Sequence, residues 1–129
     1  MKKIGIDIGG TTVKAGIVDE NYKILFKAER PTACCKTPAE LVEAVIACVK
    51  DVQSGSGCPE DEIAFIGIGC PGEVHTDKGI AHYADNLPIE DIPFVSILSK
   101  EFGKPAAIDN DANCAAWGEH IAGVSKGLK

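Results

Sequence analysis

Two short runs hold most of the residues able to do chemistry. The first is Asp7-Ile8-Gly9-Gly10-Thr11-Thr12. A carboxylate alternating with isoleucines is costly to bury unpaired, so Asp7 is expected to face a metal, a ligand or a cleft. Gly9 and Gly10 let a turn come close to an anion with its N–H groups aimed at phosphate oxygens, and Thr11 and Thr12 add hydroxyl donors. Lys14 lies two residues beyond Thr12 and shares its strand face. The chain as a whole is acidic, with 13 Lys and Arg against 19 Asp and Glu and a net charge of −6. Binding a polyphosphate therefore needs these local donors and a Mg²⁺ ion. A Gly-Gly hairpin beside a solvated Asp satisfies the same spacing. The turn matches neither the P-loop pattern nor the dinucleotide fingerprint.

The second run is Asp109-Asn110-Asp111-Ala112-Asn113, at a predicted strand-to-helix junction. In open α/β sheets, ligands gather at the carboxyl ends of strands. Asp111 falls in the first helical turn, where the helix dipole favours an ionised carboxylate able to accept a proton. Asn110 offers a donor and an acceptor, which suits a sugar hydroxyl. Helix capping alone explains one such residue, since Asp and Asn are preferred caps. A weaker candidate is the segment from Gly69 to Asn86. Gly72 permits close backbone approach and Asn86 can bond hydroxyls, but an ordinary surface loop is the simpler reading. His75 and His82 in the same segment are read as solvated or structural, and Trp117 as a packing anchor.

The elements that must position these residues are legible from periodicity. Lys3–Ile8, Thr12–Val18 and Tyr22–Glu29 read as three strands of an antiparallel meander, with Ile4, Ile6 and Ile8 on one face. Gly9-Gly10 reads as a tight hairpin turn using positive φ. Thr37-Pro38-Ala39-Glu40 is a capping box that opens a helix, and Ser54-Gly55-Ser56-Gly57 stops it. Ile63–Gly69 is apolar throughout, as expected of a central strand. Cys70–Pro88 reads as a loop, Pro93 to Phe102 as a second helix, Ala106–Asp109 as a strand, and Asn110 to about Ala122 as a third helix. The expected order is β-β-β-α-β-α-β-α, an α/β fold in one domain over residues 1–129.

Composition bounds the function. Hydrophobic residues are 45 % and charged residues 25 % of the 129, which is ordinary globular composition. The acidic balance argues against nucleic acid as a partner. No apolar run approaches the ~18 residues of a membrane span, so no membrane partner is expected and the chain reads as cytoplasmic. The six cysteines, at positions 34, 35, 48, 58, 70 and 114, lack C-x-x-C and zinc-finger spacing. They are read as small buried hydrophobes, except the adjacent Cys34 and Cys35, which are expected to be exposed; no protein-held metal is expected.

With those residues in hand, the chain resembles the N-terminal domain of the ROK family, the bacterial glucokinase-like sugar kinases and related repressors. Three stretches carry the resemblance: Ile6-Asp7-Ile8-Gly9-Gly10-Thr11-Thr12-Val13-Lys14-Ala15-Gly16, Gly67-Ile68-Gly69-Cys70-Pro71-Gly72, and Ile108-Asp109-Asn110-Asp111-Ala112-Asn113-Cys114-Ala115-Ala116-Trp117-Gly118-Glu119. The resemblance implies a ribonuclease-H-like fold of the actin and hexokinase type. It implies an ATP-dependent hexose kinase that moves the γ-phosphate of Mg-ATP to a sugar hydroxyl. Asp7 would serve the Mg-ATP phosphates, with Gly9, Gly10, Thr11, Thr12 and Lys14 around them. Asp111 would be the catalytic base, and Gly72, Asn86, Asn110 and Asp111 would contact the sugar. Family enzymes carry a second, C-terminal domain that is absent here, so the chain alone is expected to be inactive and to self-associate through apolar surface. The repressor branch is disfavoured because Lys3 already opens the first strand. A non-catalytic, sugar-sensing fragment of the same fold is the alternative.

Overall fold

The computed structural model describes residues 1–21 and 23–110. Asp111 and the helix expected from Asn110 to about Ala122 lie outside the described residues, apart from Asn110 itself. The chain opens with the expected meander: β1 (Lys2–Ile8), β2 (Thr12–Val18) and β3 (Ile24–Pro31). Ile4, Ile6 and Ile8 are fully buried, as their alternation requires. The β2–β3 turn is set by Asp19, whose carboxylate accepts the amides of Asn21 at 2.9 Å and Lys23 at 3.0 Å. Lys23, expected within the third strand, belongs to this turn, and β3 starts at Ile24; Tyr22 lies outside the described residues.

Helix α1 (Pro38–Ser56) starts at the capping box. Thr37 Oγ1 accepts the Glu40 amide at 3.2 Å, and the Glu40 carboxylate accepts the Thr37 amide at 3.1 Å. Leu41, Val45, Cys48, Val49 and Val52 form its buried stripe, which packs on β2 and β3. The Cys48 thiol is pushed up to about 11 by burial and donates to the Val13 and Ala28 carbonyls, so it behaves as a small apolar residue with one weak donor. Gly57, at φ 65°, ends the helix in the left-handed region.

The chain then returns through the middle of the sheet. β4 (Ile63–Cys70) pairs parallel with β1. Further on, α2 (Phe94–Phe102) leads to the last described strand (Ala106–Asn110), which pairs parallel with β4. Among the described residues these strands make one five-stranded sheet whose middle three members are β2, β1 and β4. No helix among them is long and apolar enough to cross a membrane.

The segment Cys70–Pro88 departs from its expected loop character. It holds β5 (Glu73–His75) and β6 (Ile80–Tyr83), which with β7 (Glu90–Ile92) form a second, antiparallel sheet; the strand after α2 is therefore β8. These strands are three or four residues long, too short for alternation to emerge from the sequence. The dense turn residues are the connections between them. Gly72, at φ 83°, and Gly79, at φ 70°, both need glycine.

At Gly72 an added Cβ would stand 2.1 Å from the Tyr83 carbonyl oxygen, so positive φ and close approach coincide. Gly72→Ala is expected to cost roughly 2 kcal/mol or more of stability. Gly57→Ala, with the same sign of φ and open space around it, should cost only about 1 kcal/mol. Denaturant unfolding of the two variants side by side checks the difference.

Candidate functional site

The parallel strands β1, β4 and β8 all run toward one edge of the sheet, and their carboxyl ends carry the candidate residues. Register places Asp7 opposite Lys14 on β2 and opposite Gly69 on β4. Gly69 lies opposite Asp109 on β8, and Lys14 opposite Glu29 on β3. Directly paired residues share a sheet face. One transverse row therefore reads Glu29, Lys14, Asp7, Gly69, Asp109. Gly69 puts no side chain between the two carboxylates, which stand about two strand spacings, roughly 10 Å, apart at the backbone.

Asp7 is half-buried. Burial pushes its carboxyl above the ordinary range, and the Lys14 ammonium pulls it back in part. The ionised form is thus under-solvated where it stands. A cation bound beside it would relieve that cost, so this donor set suits a Mg²⁺ carried by phosphate.

The turn between β1 and β2 is built differently from the expectation. Neither Gly9 nor Gly10 is among the described residues of positive φ. Glycine is needed at position 9 for space: an added Cβ would stand 2.9 Å from the Thr12 carbonyl oxygen, which accepts the Gly9 amide at 2.9 Å. At Gly10 a Cβ would stand 3.4 Å from the Asn86 Cβ. The β1–β2 turn thus lies directly against the Ala84–Leu87 loop. Between them is a cleft of about 190 Å³ lined by Gly10, Pro71, Gly72, Ala84, Asp85, Asn86 and Leu87. Gly10, Gly72 and Asn86, which lie far apart in sequence, meet there.

Thr11 is exposed, while Thr12 and Lys14 are half-buried on β2 and its leading edge. Asn110 ends β8 opposite Cys70, at the same carboxyl edge, and its amide donates to the Asp109 carboxylate at 2.8 Å. The stretch Gly67-Ile68-Gly69-Cys70-Pro71-Gly72 spells G-x-G-x-x-G, but a strand follows it rather than a helix, so no helix N-terminus is available to hold a pyrophosphate. His75 and His82 lie outside the cleft. Their ring centroids are 5.2 Å apart, and His82 Nδ1 pairs with the Asp91 carboxylate, which raises the imidazole pKa. Sequence reasoning passed over Asp85 and Leu87, which line the cleft, and Thr32, which holds the turn from behind. A polar residue one position past a strand end is the only signal Thr32 leaves.

Comparison with known proteins identifies the family and the fold. The ROK family profile matches residues 3–129. A glucokinase of Streptomyces coelicolor is 37 % identical over 124 residues, which are 96 % of this chain and 37 % of that protein. An N-acetylmannosamine kinase of Salmonella arizonae is 34 % identical over 127 residues, 95 % of this chain and 40 % of that protein. Among solved structures, a ROK family glucokinase from Streptomyces griseus in complex with glucose and AMPPNP superposes with a TM-score of 0.79 at 33 % identity, covering 98 % of this chain and 38 % of that one. The chain thus spans about two-fifths of the length of these relatives. The mixed α/β fold is that of the ROK kinases.

The Asp7 shift makes a prediction about stability. A carboxyl whose folded pKa is raised binds its proton more tightly in the native state. Its favourable contribution is complete below the unfolded value and is lost as pH rises through the folded one. Asp7→Asn should therefore gain stability over the parent as pH rises from below 4 toward neutrality, with the two chains converging in acid. Chemical denaturation at a series of pH values checks both the sign and the convergence.

Proposed function

The chain belongs to the ROK family, and from that premise we propose that it forms the N-terminal part of an ATP-dependent, glucokinase-like hexose kinase. The observation that carries this reading is the contact between the β1–β2 turn and the Asn86 loop across one cleft. A phosphate-holding turn and a sugar-holding loop must adjoin if a phosphoryl group is to pass between their ligands. The relatives' activities support the same reading.

In this mechanism the turn amides and Thr11, Thr12 and Lys14 hold phosphate oxygens, and Asp7 balances the cation that accompanies them. That cation, Mg²⁺, neutralises charge on the phosphates when bound. Gly72 shapes the cleft wall, and Asn86 and Asn110 orient the sugar through hydroxyl hydrogen bonds. Asp111 accepts the proton of the attacking hydroxyl as its oxygen bonds to the γ-phosphorus and the bond to ADP breaks. The adenosine pocket and the remaining sugar contacts lie on a second domain. Self-association through apolar surface belongs to the same reading; among the described residues the large exposed apolar side chains are Met1, Leu25 and Tyr83. Light scattering of the purified chain checks it, and a strict monomer at high concentration removes it.

Asp111 tests the assignment. In the full-length enzyme Asp111→Asn keeps the shape and a capping oxygen but cannot take the proton, so kcat should fall roughly 10²–10⁴-fold with little change in thermal midpoint. A near-parental kcat removes the base. The 129-residue chain alone should show no sugar-dependent ADP release in a coupled assay, because it positions only part of the nucleotide.

A further inference from the structure

Thr32 is the buried polar side chain of the described residues, 1 % exposed and one position past the end of β3. Its hydroxyl donates to the Gly9 carbonyl at 2.6 Å. Its amide donates to the Thr11 carbonyl at 2.8 Å, and the Ala33 amide joins it there at 3.2 Å. Two consecutive residues thus hold both turn carbonyls that flank Gly10. The Cys35 amide closes the segment back onto the Thr32 carbonyl at 3.0 Å, which makes the anchor a compact turn in its own right.

The consequence follows from peptide geometry. In a trans peptide the N–H points opposite to the C=O. The Gly9 carbonyl shares its peptide with the Gly10 N–H, and the Thr11 carbonyl shares its peptide with the Thr12 N–H. Holding the two oxygens toward Thr32 and Ala33 turns the Gly10 and Thr12 N–H groups the other way, with Gly10 at the cleft wall. Among the described residues no carbonyl takes the Gly10 amide proton. The Gly9–Gly10 peptide has no side chain on either flank to hinder its rotation, so without an anchor it would sample many orientations. Donors fixed before the anion arrives bind it better than donors that must be ordered by it.

We propose that Thr32 is a positioning residue for the nucleotide phosphates: its buried hydroxyl and amide, with the Ala33 amide, fix the Gly9 and Thr11 carbonyls so that the Gly10 and Thr12 amide protons face the anion. The inference rests on the reading of this turn as the phosphate site. It adds a residue from the β3–α1 connection, outside the runs that touch the ligands.

The full-length protein carrying Thr32→Val, which keeps shape and removes the hydroxyl, should bind AMPPNP about tenfold more weakly by calorimetry, the factor that ~1.4 kcal/mol represents. KM for ATP should rise in step while KM for the sugar stays within about twofold. Thr32→Ser should restore nucleotide binding. Unchanged AMPPNP affinity in Thr32→Val, an equal loss for both substrates, or failure of serine to rescue overturns the proposal. If Thr32→Val does not fold, the parent protein decides by NMR: AMPPNP should shift the Gly10 and Thr12 amide resonances and leave the Gly9 amide, already bonded to Thr12, nearly unmoved. Shifts confined to Gly9, or absent from the turn, overturn it. Asp7→Asn run in parallel separates the two levels of inference. Weakened AMPPNP binding there with none in Thr32→Val removes only Thr32, whereas no effect in either removes the phosphate assignment of the turn as well.

Discussion

A carboxylate on a central strand is the constraint from which much of this structure follows. Asp7 sits on β1, with β2 on one side and β4 on the other. Apart from Lys14 on β2, its neighbours on that face are small: Gly5 beside it along the strand, and Gly69 across from it on β4. The row below is smaller still, since Gly5 lies opposite both Gly16 and Gly67. Large side chains there would complete the burial of the carboxylate and drive its proton on. The opposite face carries the compensation. Ile4, Ile6 and Ile8 are wholly buried on β1, and each such side chain is worth roughly 1.5–3 kcal/mol. One strand therefore divides its two faces between packing and chemistry.

The turn that follows is held from three directions. Gly9 closes on Thr12 within the hairpin, the Thr32 segment bonds its carbonyls from the β3 side, and Asn86 of the small-sheet side lies close enough to touch a Cβ placed at Gly10. Each contact comes from a different part of the chain, so the geometry of a few backbone amides depends on the meander, the β3–α1 connection and the β6–β7 loop together. The small sheet earns its place in this way. Tyr83 and Ala84 leave no room for a side chain at Gly72, which fixes the β4–β5 connection against β6 and sets the width of the cleft.

Much of this was legible in the residues. The alternation of Ile4, Ile6 and Ile8, the Thr37–Glu40 capping box and the unbroken apolar run from Ile63 announce β1, α1 and β4, because each depends on neighbours a few positions away. Asp7, Gly10, Gly72 and Asn86 were legible as types suited to anions and hydroxyls, and the fold brings the last three to one cleft. The misreadings have a common cause. The reason for glycine at position 9 is a carbonyl across the hairpin rather than a backbone angle, and the strands β5 to β7 exist through pairing rather than through pattern. Thr32 is the extreme case, since nothing within several positions reveals that Gly9 and Thr11 lie over it. Long-range contact is the information a linear reading lacks.

The pairing of β1 with β4 also bears on the order in which the molecule can assemble. The meander joins strands adjacent in sequence, whereas Gly5 meets Gly67 only after α1 has crossed over. Closing so long a loop is the slower event, and until it happens β1 presents an open edge bearing three isoleucines. Asp7 gives up part of its hydration in the finished sheet. The charge that suits the finished site thus weighs against the pairing that completes the sheet around it.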